Sequence, residues 1–199
     1  MEILYQDRDI AVTVKPVGLE SQAQVPAELA QQLGGTFYPV HRLDLNVGGV
    51  MVYARSKAAA AALSKLIQDG AMVKEYVAMV HGTPPESGDW EDLLFKDSSR
   101  NKVFVVKRMR GGVKKAQLEY RRLTEGEISL VHIRLHTGRS HQIRVQFASR
   151  KYPLVGDHKY GSRDDANMPM LFSCRITFPW RGETKRFEAY PSWAGIKEQ

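Results

Sequence analysis

Short apolar runs bounded by turn-forming residues dominate this chain. Ile3-Leu4-Tyr5 and Ile10-Ala11-Val12-Thr13-Val14 read as two short strands around the polar turn Asp7-Arg8-Asp9. Val50-Met51-Val52-Tyr53-Ala54 is an uninterrupted apolar run and reads as a buried strand. Met72 to His81 is strand-like, with Val73, Val77 and Met79 among β-formers. Pro84-Pro85 and Gly88 mark a loop, and residues 103–106, 116–123, 128–136, 171–178 and 184–190 then read as further strands. Helical patterns are fewer. Pro26 to Leu33 predicts a short helix stopped by Gly34-Gly35. Lys57 to Gln68 is rich in alanine and other strong helix formers and ends at Gly70, a C-cap candidate. One segment carries both periods: Ile143, Val145 and Phe147 alternate as in a strand, yet Ile143 and Phe147 also share a helix face. Ser140 as an N-cap favours the helix. Strands interspersed with two or three helices argue against a doubly wound parallel sheet. The expected class is α+β, with a mixed, largely antiparallel central sheet and a few flanking helices. No repeat, low-complexity tract or linker interrupts residues 1–199, so one domain is expected.

At 199 residues the chain is long enough for one well-buried core. The N-terminal stretch Met1-Glu2-Ile3-Leu4-Tyr5-Gln6-Asp7 lacks a basic region and a long apolar run, so no secretory signal is expected. No window approaches the ~18 apolar residues of a membrane span. The single Cys174 cannot form an internal disulfide, and its apolar neighbours predict a buried thiol suited to a reducing, cytoplasmic location. Charge changes the picture more. The net charge is +7, and residues 100–122 hold nine basic side chains against one acid, Glu119. Arg134 to Lys151 adds five basic residues and no acid. Such concentration is the footprint of a polyanion binder, although a solvated basic face has the same composition. The basic residues do not lie on an amphipathic helix, which disfavours a membrane surface.

The candidate chemistry starts at His41-Arg42-Leu43-Asp44-Leu45-Asn46-Val47-Gly48-Gly49. Asp44 sits between a cationic dipeptide and a Gly-Gly turn, on a loop presented by the strand that follows. A lone loop aspartate more often caps a turn. The balance shifts with Thr137-Gly138-Arg139-Ser140-His141-Gln142-Ile143-Arg144, Gly156-Asp157 and Tyr160-Gly161. Two shorter matches stand in order with them, Lys15-Pro16-x-Gly18-Leu19 and Lys74-x-Tyr76-x-Ala78-x-Val80-x-Gly82. Together these segments resemble the RluA-type pseudouridine synthases, and the resemblance runs from about residue 3 to about residue 190.

The resemblance implies the pseudouridine synthase catalytic-domain fold, a mixed and largely antiparallel α+β sheet, and favours helix for the segment around Ile143. It implies isomerisation of uridine in ribosomal or transfer RNA, with Asp44 acting as nucleophile or base to start glycosidic cleavage. Arg144 is then the guanidinium that keeps Asp44 ionised where water is excluded. Tyr76 packs against the uracil and is a candidate for accepting the C5 proton. Arg42 helps displace the base from its stack. His41 has the less specific task of holding the loop. The basic residues Lys107, Arg108, Arg110, Lys114, Lys115 and Arg139 are expected to contact RNA. Larger family members carry a separate N-terminal RNA-binding module, which is not expected here because the catalytic-domain strands begin at residue 3.

No cofactor, metal or obligatory protein partner is implied, and a cytoplasmic monomer is expected. His132 and His136 are four apart, but no Cys cluster or glutamate in zinc spacing accompanies them. Four positions depart from the family's usual pattern. Val47 stands where a threonine is common and removes a hydroxyl that could fix the loop. Gln146 replaces a frequent histidine, Lys151 a frequent glycine, and Phe172 another histidine. The alternative is an RNA-binding or RNA-folding factor of the same fold with little or no catalysis. A glycoside hydrolase would need a second, opposed carboxylate, and no second acid stands in a comparable motif.

Overall fold

The computed structural model describes residues 1–196, which divide into two compact units. The first comprises residues 1–74 together with the segment from Phe172 onward, and the second runs from Glu75 to Leu171.

In the first unit β1 (Glu2–Gln6) and β2 (Ile10–Lys15) form an antiparallel pair around the Asp7 turn. Asp7 closes that turn by accepting the Asp9 and Ile10 amides at 2.7 and 2.8 Å. Strand β2 pairs antiparallel with β4 (Gly48–Ala54), and the short β3 (Tyr38–Pro39) lies on β4 as well. Every residue of β4 is buried, as its unbroken apolar run predicts. Strand β10 (Leu171–Trp180) runs parallel to β4 at Phe172 and Ser173, and β11 (Glu183–Glu188) returns antiparallel along β10. Helix α1 (Gln24–Leu33) ends at Gly34. Helix α2 (Lys57–Gln68) begins at Ser56, whose hydroxyl accepts the Ala59 amide at 3.1 Å. Its apolar face, Ala59 and Leu63, packs with Ile10, Val12, Val50, Val52, Ile176 and Phe178 into one core.

The second unit is a sheet in the order β5-β9-β8-β6-β7 with one helix. Its strands are β5 (Val73–His81, which starts at the end of the first unit), β6 (Ser87–Asp97), β7 (Lys102–Val106), β8 (Val113–Arg122) and β9 (Ile128–Leu135). Helix α3 (Gln142–Ser149) buries Ile143, Arg144, Val145, Gln146 and Phe147. Phe147 meets Trp90 and Tyr120 with ring centroids 4.7 and 5.2 Å away. The class is therefore α+β with a mixed, largely antiparallel sheet, as expected.

Two local expectations fail. The expected loop at Gly88 lies inside β6, an 11-residue strand of which only Leu94 is fully buried. Its acidic residues hide the alternation, while nine register pairs to β8 set its conformation. Ser140 does not cap α3. His141 occupies the cap at φ 50°, and the Gln142 side chain satisfies the Arg139 amide at 3.0 Å instead. Lys151 does adopt the left-handed conformation its glycine-replacing position suggests, at φ 70°. No helix among the described residues is long and apolar enough to cross a membrane.

Gly49 has φ +127°, and a Cβ there would overlap the Ser173 backbone. Gly49→Ala should therefore destabilise the protein by about 3 kcal/mol, measurable by denaturant unfolding, because the β4–β10 contact leaves nowhere for the methyl group to go.

Candidate functional site

In the first unit, the Asp44 loop is bolted from beneath by a buried ammonium. Lys15 is 0% exposed at the end of β2. Its Nζ donates to the carbonyls of Pro16, Leu19 and Leu45 at 2.9, 2.8 and 3.3 Å. Leu45 directly follows Asp44, and its carbonyl also accepts the Gly18 amide at 2.9 Å. The Lys-Pro-x-Gly segment is therefore a brace for the acid, a role that the sequence motif alone did not reveal. Burial pushes the Lys15 pKa down to about 8, while the charges of Asp44 and Glu20 act in the opposite direction. Val47 is buried, and its amide closes the turn onto the Asp44 carbonyl at 3.0 Å, so main chain ties the loop where valine removes the hydroxyl.

His41 anchors the other side of the loop. Its Nε2 accepts the Val52 amide of β4 at 3.1 Å, which requires the proton on Nδ1. Burial, with the nearby Lys74 charge, pushes its pKa down to about 3. The imidazole is neutral, so the dipeptide beside Asp44 carries one positive charge, on the exposed Arg42.

Arg144 and Tyr76 belong to the second unit. Tyr76 is buried on β5. Arg144, on α3, forks onto Asp157: Nε donates to Oδ2 at 2.6 Å and Nη2 to Oδ1 at 2.8 Å. Asp157 is 1% exposed, and the fork fixes the plane of the guanidinium, with Nη1 outside it. The Tyr160 ring lies 5.1 Å from the guanidinium carbon. The Tyr160 hydroxyl accepts the Val103 amide at 2.8 Å and pairs with His141 Nδ1 at 2.9 Å. Asp157 and Tyr160 were not among the expected site residues, although their motif, Gly-Asp-x-x-Tyr-Gly, was visible. Gln142 and Thr137 complete the support, with Thr137 Oγ1 donating to Gln142 Oε1 at 2.7 Å and Gln142 Nε2 donating to the Gln117 carbonyl at 3.0 Å.

The basic residues of the second unit gather around β8. Lys107, Arg108 and Arg110 lie in the exposed β7–β8 turn, and Lys114 and Lys115 are exposed on β8 itself. The exposed Arg139 reaches them by donating from Nε to the Lys115 carbonyl at 2.9 Å. Two of these cations have local partners: Arg110 lies 5.0 Å over the Phe95 ring, and Lys115 is 3.5 Å from Glu91. Gln146 is a packing residue, donating to Asp92 at 2.7 Å. His132 and His136 pair separately with Glu75 and Glu119, at 3.3 and 3.7 Å.

The family model described as RNA pseudouridylate synthase matches residues 9–149. The dual-specificity RNA pseudouridine synthase RluA of Escherichia coli is 35% identical, the match covering 94% of this chain and 91% of that protein. The ribosomal large subunit pseudouridine synthase D of Zymomonas mobilis is 32% identical, covering 87% of this chain and 60% of that protein. Among solved structures, human RNA pseudouridylate synthase domain containing 4 superposes with a TM-score of 0.82 at 24% identity, covering 98% of this chain and 90% of that one.

Because the folded pKa of Lys15 lies below its usual 10.5, the unfolded chain binds more protons between about pH 8 and 10.5. Lys15 should therefore add stability as pH rises through that window. The Lys15 ε-carbon resonance should titrate near pH 8, and the amides of Asp44 to Val47 should shift with the same midpoint. Amides unmoved across that midpoint would separate the ammonium from the loop.

Proposed function

Since the chain belongs to the RNA pseudouridylate synthase family, whose reaction is the isomerisation of uridine in RNA, we propose that Asp44 opens that reaction on a uridine of ribosomal or transfer RNA. The N1–C1′ bond breaks, the uracil turns, and C5 bonds to C1′. In this reading Asp44 starts the cleavage as a carboxylate, Arg144 helps keep it charged, Tyr76 packs on the base and receives the C5 proton, and Arg42 takes the space that the extruded base vacates.

The observation that supports it best lies in the first unit. The buried Lys15 ammonium is attracted to Asp44 and donates to the carbonyl of Leu45, the next residue, so the loop presents its acid beside a fixed positive charge. The enzyme is read as a cytoplasmic monomer acting on RNA without a protein partner. Lys107, Arg108, Arg110, Lys114, Lys115 and Arg139 contact its phosphates.

RNA labelled with tritium at uridine C5 tests the chemistry. The protein should release label to water, and Asp44→Asn should abolish release by about 10⁴-fold or more while RNA binding persists. Release by the asparagine variant at the original rate would remove Asp44 from the mechanism. Binding without release by either form would instead favour an RNA-folding factor.

The basic surface is tested by salt. Replacing Lys107, Arg108 and Lys114 together by Gln should flatten the slope of log affinity against log salt by about one for each phosphate no longer neutralised. An unchanged slope would place the RNA elsewhere.

A further inference from the structure

Outside the motifs, the second unit contains a histidine, a serine and an aspartate in mutual contact. His81 Nε2 lies 3.0 Å from Ser162 Oγ and 2.7 Å from Asp164 Oδ2, and the Ser162 hydroxyl donates to that same carboxylate oxygen. This is not a nucleophilic triad. Such a relay needs serine and aspartate on opposite ring nitrogens, and here one nitrogen meets both. The cluster has a different centre. Asp164 accepts the Gly156 amide at 3.1 and 3.0 Å and the Ala166 amide at 2.9 Å. Burial acts to raise its pKa, but the hydrogen bonds from Ser162, Gly156, His81 and Ala166 outweigh it and hold the carboxyl well below the usual range.

Gly156 immediately precedes Asp157, the residue that forks onto Arg144. The turn between them has no slack. Gly156 stands at φ +78°, where a Cβ would overlap the Met168 carbonyl. The stretch before it is laid along β5, with the His81 amide on the Pro153 carbonyl and the Val155 amide on the Met79 carbonyl, each at 2.9 Å. After it, the Tyr160 and Ser162 amides return to the Asp157 carbonyl at 3.0 and 3.1 Å. Asp164 is thus the side chain that closes this turn from outside, and His81 ties the closure to the end of β5.

We propose that Asp164 is a positioning residue: by holding the Gly156 amide it sets Asp157, and through Asp157 it sets the Arg144 guanidinium. The inference rests on the reading of Arg144 as part of the reaction site. Its physical content is that a carboxylate one turn removed from the guanidinium controls the rate without meeting the RNA. Small displacements of a charged group at a reacting centre are costly, about a hundredfold for an ångström.

Asp164→Ala in the full chain is the test, with two readouts. The first needs no activity. The Arg144 Nε–H resonance, assigned by its loss in Arg144→Lys, should exchange slowly with solvent in the parent protein and lose that protection in Asp164→Ala. The second is kinetic, on tritiated RNA: kcat should fall by about tenfold or more, with KM within about threefold. Asp164→Asn keeps an acceptor for the Gly156 amide and should lie between the two. Should Asp164→Ala not fold, Asp164→Asn and His81→Gln carry the same measurements, each with partial loss of protection expected. Full protection of Arg144 Nε–H in the folded variants would overturn the proposal, as would a change in KM alone. Failure of the parent protein to release tritium would count against the proposed reaction, whereas the resonance would still decide the role of Asp164.

Discussion

The buried ion pair between Arg144 and Asp157 is the constraint around which the second unit is arranged. A guanidinium placed on a buried helix face costs several kcal/mol of desolvation unless a carboxylate meets it with good geometry. Asp157 meets it at two oxygens, and Tyr160 covers the face of the guanidinium. Asp157 approaches from a tight turn with a glycine at 156, and the helix is entered with His141 in a left-handed conformation, which costs about 1 kcal/mol.

The first unit solves a matching problem differently. Its buried cation, Lys15, is satisfied by three carbonyls rather than by a carboxylate in direct contact. That choice turns a charge into a strut. The loop around Asp44 has its backbone acceptors tied to Lys15 and Gly18 and its turn closed by Val47, so the acid is presented by main chain that has little freedom to move. His41 adds one more tie to β4.

Much of the fold was legible where apolar pattern and side-chain direction coincide. The buried run of β4 and the alanine-rich α2 came through with close to their observed limits, because burial on both faces and helix propensity leave direct marks in the sequence. Strand β6 did not, since Asp89, Glu91 and Asp92 are placed there to meet Gln117, Lys115, Gln146 and Arg150, contacts that only pairing with β8 and α3 creates. The candidate site divides in a similar way. Asp44, Tyr76 and Arg144 were named from motifs, and Lys15 and Asp157 stood in motifs as well, but their contacts with backbone carbonyls and a guanidinium have no period or spacing, and Asp164, on the Gly156 amide, stood in no motif. Gln146 shows the converse, a departure from the family pattern that the structure explains as packing against β6.

The neutral imidazole at position 41 has an effect beyond its own loop. A histidine next to an arginine in an RNA enzyme suggests a patch whose grip on phosphate tightens as the surroundings acidify. Here the ring keeps its hydrogen-bonding duty and stays uncharged far below neutrality. Acidification from neutral to mildly acid conditions therefore adds no charge at His41 beside Arg42.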